Sequence, residues 1–357
     1  MRTRRVLPLL APILLFGSGA VVWGQSESFE DDVVVTEVLL DALVTDKKGR
    51  AILGLGKEDF RVTERGEPVE LLAATFYSGR EQIGELPDLE GFDLDRIPED
   101  RHFILFLQDS RRASSRLNNL FVRQQMAGQA LIEWVETRLD PTDRLAVASF
   151  DAKLKLHQDF TRDRERLVAA IGSAVRGRDP ESEWPSRQPP PEEIGPLRAA
   201  LPAGKELRKA SGNLYKAVTR LAEAAAGVPG RKNLIYLGTG FDPIGSADSF
   251  RMTPMIEALN RANVAVYPID LLPPEVRHSS RSTLSRLALA TGGDAFFTFI
   301  RFSSPLEQVA KTATGYYLLA YRSRHPAGTT GYQRVRVDVV NPEFRVRARA
   351  GYAYGEP

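Results

Sequence analysis

The stretch His102-Phe-Ile-Leu-Phe-Leu-Gln-Asp-Ser-Arg-Arg-Ala-Ser-Ser115 decides the fold. Phe103 to Leu107 are apolar at every position, the pattern of a strand covered on both faces, as in a parallel α/β sheet. The run stops at Gln108-Asp109-Ser110, and a stretch with Leu120, Met126, Ala130, Leu131, Trp134 and Val135 near helical spacing follows. Ligands of open α/β sheets lie outside the carboxyl ends of the strands, so the turn at Asp109 is where a functional group is expected.

Outward from this strand the pattern repeats. Leu145 to Phe150, Asn233 to Leu237 and Val264 to Asp270 are further apolar runs, separated by helix-like stretches. That alternation predicts a mostly parallel central sheet with helices on both faces over residues 101–313. Lys153 to Phe160 reads as a hairpin partner, and Thr161 as the N-cap of a helix carrying Leu167, Ala170 and Ile171. Residues 179–202, rich in Pro and charge, read as an excursion. Leu207 to Ala226 predicts a single helix closed by Gly227, with Pro229 just beyond.

The flanks differ. Residues 25–77 read as strands: Val34, Val38, Leu40, Ala42 and Val44 are set against Glu37 and Asp41, a period-2 pattern with one buried face. After an acidic linker over 78–100, strands return from 314 to 357. There Arg334, Arg336 and Asp338 alternate with Val335, Val337 and Val339, while Arg345, Arg347 and Arg349 alternate with Val346 and Ala348. Three strands cannot bury an apolar face alone, so both flanks are expected to combine in one β-sandwich. The arginine face reads as solvated, or as a contact for an acidic partner or glycan.

At 357 residues the chain has ample length for a buried core. The net charge of +2 hides an acidic N-terminal part and an Arg-rich end, a split that points to attraction within the molecule. No basic cluster interleaves with aromatics in a reading motif, so nucleic acid is not an expected partner. Residues 1–24 read as a signal peptide. Arg2, Arg4 and Arg5 precede the apolar Val6 to Val22, and a cut is expected ahead of Gln25; an uncleaved anchor is the alternative. The expectation is an exported protein, periplasmic or secreted, with no integral membrane span after cleavage. The chain has no cysteine, which removes disulfides, thiol nucleophiles and Cys-based zinc sites.

Several segments together carry a resemblance. They are Leu43-Val-Thr-Asp-Lys-Lys-Gly-Arg50, Gly54-Leu-Gly-Lys-Glu-Asp-Phe-Arg-Val62, Asp143-Arg-Leu-Ala-Val-Ala-Ser-Phe150, Asp159-Phe-Thr161 and Pro229-Gly-Arg-Lys-Asn-Leu-Ile-Tyr-Leu237. Ala290-Thr-Gly-Gly-Asp-Ala295, Tyr316-Tyr-Leu-Leu-Ala-Tyr321 and Arg347-Ala-Arg-Ala-Gly-Tyr352 complete the set. In this order the chain resembles von Willebrand factor A-related domain proteins of the acidobacterial type. The resemblance implies a Rossmann-like A domain flanked by β-structure, exported, and binding a protein partner rather than catalysing a reaction.

It also implies where to look for a metal. Such domains hold Mg²⁺ with Asp-x-Ser-x-Ser on one loop, Thr on a second and Asp on a third, a hard-oxygen set that suits the ion. Here Arg111 and Ala113 stand where the serines belong. The second loop is Ser211-Gly-Asn-Leu-Tyr-Lys-Ala217, with Gly212 or Asn213 for Thr, and the third is Gly238-Thr239-Gly240. The expectation is a binding crown without an obligatory cofactor, formed by Asp109, Ser110, Ser114, Gly212, Asn213, Thr239 and Asp242. The competing reading is a rearranged Mg²⁺ site around Asp109 and Asp242.

Plainer roles compete with these. Asp109 can cap the following helix. Gly238-Thr-Gly240 lacks the third glycine of a nucleotide loop. His102, His157, His278 and His325 are scattered without ligand spacing. No Gly-x-Ser-x-Gly elbow exists, and Ser149 lies inside a strand, so a hydrolase has no anchor. Neither the partner nor the oligomeric state is legible.

Overall fold

The computed structural model describes residues 33–78, 81–83, 100–109, 118–180, 194–241, 247–273, 276, 280–297, 301–313, 315–326 and 329–355. The expected signal peptide, most of the linker and residues 181–193 of the excursion lie outside them.

The amino-terminal strands are β1 (Val33–Thr45), β2 (Phe60–Glu64), β3 (Glu67–Val69), β4 (Leu71–Ser78) and β5 (Glu81–Ile83), the last of these inside the expected linker. The middle of the chain gives β6 (His102–Gln108), α1 (Asn118–Thr137), β7 (Arg144–Phe150), β8 (Leu154–Thr161) and α2 (Arg164–Val175). It continues with α3 (Pro196–Ala200), α4 (Gly204–Ala210), α5 (Leu214–Ala225), β9 (Lys232–Gly238), α6 (Ala247–Arg261), β10 (Val264–Asp270), α7 (Ser280–Thr291) and α8 (Ser303–Thr312). The carboxyl-terminal strands are β11 (Gly315–Pro326), β12 (Gly331–Val339), β13 (Arg345–Ala348) and β14 (Gly351–Tyr354).

The fold is α/β with an added sandwich, as the periodicity predicts. The central sheet runs β10-β9-β6-β7-β8, parallel except for β8 at one edge. No residue of Phe103–Leu107 is more than 4% exposed. Phe103, Leu105 and Leu107 pack with Leu120, Trp134 and Ile171 on one face; Ile104 and Phe106 pack with Val218, Met255 and Leu284 on the other. Each such side chain stabilises the fold by about 1.5–3 kcal/mol through removal from water.

Two local expectations are corrected. Asp163, not Thr161, caps α2, because its carboxylate accepts the Arg166 amide while the Thr161 hydroxyl accepts the Asp163 amide. The single helix expected over 207–226 is two. The Ser211 hydroxyl donates to the Leu207 carbonyl and accepts the Leu154 amide, and Asn213 then restarts the chain as the N-cap of α5.

Amino- and carboxyl-terminal strands share two antiparallel sheets, β13-β1-β11-β4-β5 and β14-β12-β2-β3. Val38, Leu40, Phe60, Val62, Tyr317, Leu319 and Val335 fill the space between them. Inside the sandwich Glu64 is 7% exposed and accepts from Tyr321, Ser323 and Tyr352 hydroxyls at 3.0, 2.5 and 2.9 Å.

The other face of β1 meets the α/β layer. Arg349 donates to the carbonyls of Leu39 and Asn260, Arg347 to Asp294, and Asn263 to Asp41. The expectation of a solvated arginine face is therefore corrected for Arg347 and Arg349: a second layer packs on that side and supplies their acceptors. Gly292 permits this approach: its φ is +75°, and a Cβ there would lie 2.8 Å from the Ala348 backbone.

Candidate functional site

The carboxyl edge of the central sheet collects the ends of β6, β7, β9 and β10. The chain steps from β6 to β7 on one side and later returns with β9 on the other, so the switch point lies between β6 and β9. Gln108 occupies it. Its Oε1 accepts from the Tyr236 hydroxyl at 2.6 Å and the Thr239 amide at 2.9 Å, and its Nε2 donates to the Gly240 carbonyl at 3.3 Å. A Cβ on Gly238 would overlap that same Oε1, so the glycine is what admits the carboxamide.

Around this wedge the expected residues are distributed unevenly. Asp109 is 8% exposed, and its amide donates to the Phe150 carbonyl at 2.8 Å. The described part of α1 starts at Asn118, and the segment that Asp109 would cap lies outside the described residues. Thr239 and Gly240 follow β9 directly, and Gly240 has φ +90° against Ser280 and Leu284. Asn213 spends its Oδ1 on the Lys216 amide at 2.9 Å as a helix cap, and Gly212 is exposed beside it. Ser110, Ser114 and Asp242, together with Arg111 and Ala113, lie outside the described residues.

For Mg²⁺ the described donors fit poorly. The ion takes an octahedral set of hard oxygens. Here the Asn213 oxygen and the Gln108 oxygen are already accepting amide or phenol hydrogens. Among the described residues, no three His, Cys, Asp or Glu side chains converge.

The structure brings together groups that the sequence reading set apart or did not single out. Ser149 is 2% exposed, and its hydroxyl lies 2.7 Å from His157 Nε2. His157 Nδ1 has no hydrogen-bond partner among the described residues, so no acid orients the imidazole. Burial, with the Lys155 charge adding to it, pushes His157 down to about 4. Lys155, itself 3% exposed, sits 2.8 Å from Asp179 and 3.0 Å from Asp151. Burial opposes its charge, yet the two carboxylates hold the ammonium above its ordinary value. On β10, Asp270 is 1% exposed, with Arg281 at 3.5 Å. The signal for Asp270 was present in the sequence: like Asp109, it ends an apolar run. The Ser149–His157 contact left none, because a bulge in the β7–β8 pairing decides which side chains meet.

Two helix starts flank this edge. Leu120 of α1 and Met252 of α6 turn into opposite layers of the core. Their neighbours turn outward: Phe121 is 46% exposed, Val122 53% and Phe250 83%.

No family model matches the chain, and no curated protein matches it. Solved structures similar to it include an aerotolerance-related membrane protein from Bacteroides fragilis, at 12% identity over 60% of this chain and 98% of that one, with a TM-score of 0.37. BatB from Bacteroides thetaiotaomicron shares 12% identity over 59% of this chain and 99% of its own, at 0.35. A mutant of the PilB minor pilin from Streptococcus sanguinis shares 9% identity over 77% of this chain and 86% of its own, at 0.38. Strand order and pairing, rather than these likenesses, define the class: a doubly wound α/β domain carrying a composite β-sandwich. Among the described residues, no helix is long and apolar enough to cross a membrane.

Proposed function

We propose that the chain is an exported, non-catalytic binding module of the von Willebrand factor A type, which meets a protein partner through the carboxyl edge of its central sheet without a bound metal. The observation that carries this reading is the Gln108 carboxamide, which fills the crevice where such a fold would place a ligand. Asn213 is committed to capping α5, which takes a further oxygen from the crown. Exposed aromatic and aliphatic side chains at the starts of α1 and α6 give that edge an apolar contact surface of the kind partners cover.

Titration calorimetry with Mg²⁺ and with Mn²⁺ tests the metal-free part. The expected result is no saturable heat. Saturable binding that Asp109→Ala abolishes would instead establish a metal-dependent adhesion site around Asp109 and Asp242. For the docking edge, a photo-crosslinker at position 250 should capture a partner from the cell envelope, and one at Leu53 on the sandwich should not.

A further inference from the structure

At the opposite, amino edge of the sheet a cleft of about 490 Å³ opens between the sandwich and the α/β layer, a size typical of small-molecule sites. Its polar walls come from Lys232 at the start of β9, Arg349, Tyr316 and Asp41, its apolar walls from Leu39, Val228 and Leu318. Lys232 is 2% exposed, and its ammonium makes one hydrogen bond among the described residues, to the Val228 carbonyl at 2.6 Å. An ammonium carries three donors, so two remain for something else. The buried Nε of Arg349 likewise has no partner among the described residues.

Charge decides which ligand fits. Lys232, Arg261 and Arg349 line the cleft against Glu37 and Asp41. Glu37 has Arg322 at 3.9 Å, and Asp41 accepts from Asn263. The balance is cationic, and a substantial part of the wall is apolar.

We propose that this cleft binds a small organic anion, its oxyanion head held by Lys232, Arg349 and Tyr316 and its apolar body lying against Leu39, Val228 and Leu318. The proposal stands apart from the crown at the other edge, and the failure of either leaves the other intact. Burial lowers Lys232 to about 7; Asp41 opposes the shift and Arg349 adds to it. A bound anion restores the charged form, so affinity falls as the pH rises through that range. The other groups facing Lys232 are Asp41 and Glu37 from β1, Tyr316 from β11, Arg261 from α6, Arg349, and His102 from β6. His102 titrates near 4 and burial holds the Tyr316 phenol above its ordinary value, so neither changes charge across the window.

Titration calorimetry on the full chain, with hexanoate, inorganic phosphate and hexylamine as probes, tests the proposal. Hexanoate should bind saturably and about tenfold more tightly than phosphate, and hexylamine should not bind, because one charge-assisted contact and a few buried methylenes are each worth about a factor of ten. Lys232→Met should weaken hexanoate at least about tenfold and Tyr316→Phe several-fold, with a similar loss for the unaltered chain between about pH 6 and 9. Absence of saturable hexanoate binding, or phosphate binding as tightly as hexanoate, overturns it. So does an affinity that neither Tyr316→Phe nor pH alters, a result that does not depend on Lys232→Met folding.

Discussion

The Tyr236 phenol donates to Gln108 Oε1 across 2.6 Å, and the ring behind it is fully buried. Gln108→Ala would remove the acceptor of that phenol and of the Thr239 amide. The cost should be about 2–3 kcal/mol in urea unfolding, with the secondary structure unchanged. A loss under about 0.5 kcal/mol would mean that water replaces the carboxamide and that the crevice is open.

Glu64 is the acceptor for three buried hydroxyls within the sandwich. Glu64→Ala removes the acceptor that all three share, leaving the Tyr352 hydroxyl His325 Nε2 at 3.1 Å, and should cost about 3–5 kcal/mol, whereas Tyr352→Phe leaves the carboxylate two of its donors and should cost about 1 kcal/mol. Equal losses from the two variants, measured by denaturant midpoint, would show that the network is not centred on the carboxylate.

Burial raises the Tyr321 and Tyr352 phenols above their ordinary value of 10.0. The folded chain keeps these protons where the unfolded chain releases them, so stability is present below pH 10 and declines above it. Thermal unfolding from about pH 9 to 11 should show the decline, and Tyr352→Phe should reduce it.

Acid acts through two other groups. Burial, with Lys232 and Arg144 adding to it, brings His102 down to about 4, and His157 lies at the same value. Between 6.5 and 4 the unfolded chain binds protons that the folded chain refuses, so this stability is complete above pH 6.5 and is lost as the pH falls toward 4. The loss should be on the order of 2 kcal/mol for each histidine. His157→Gln should flatten the limb; an unchanged slope would show that His157 titrates normally.

Arg349 joins the two layers by donating to Leu39 and Asn260 carbonyls at 2.6 and 3.1 Å. Arg349→Met should cost about 2–4 kcal/mol, and Arg349→Lys should recover little of it, because one ammonium cannot span both acceptors as a planar fork does. Full recovery by lysine would reduce the residue to a charge.

Local order supplied much of the fold. The unbroken apolar runs at Phe103–Leu107 and Val264–Ile269 determined buried parallel strands, and period-2 alternation in β1 and β12 determined which face turns to the sandwich core, because a strand's pleat fixes which residues share a face. That the second face of β1 is buried as well, at Asp41 and Leu43, corrects the expectation of one buried face. Tertiary packing decided which surface each face meets. The same alternation that places Arg345, Arg347 and Arg349 together cannot say that a second layer covers Arg347 and Arg349, since that layer comes from residues far away in the chain. Gln108 is the sharpest case. As the last residue of an apolar strand it reads as an ordinary polar end, and only the return of β9 beside β6 brings Tyr236, Thr239 and Gly240 to its carboxamide. Hydrogen-bond partners separated by such long stretches of chain are fixed by topology, which periodicity does not encode.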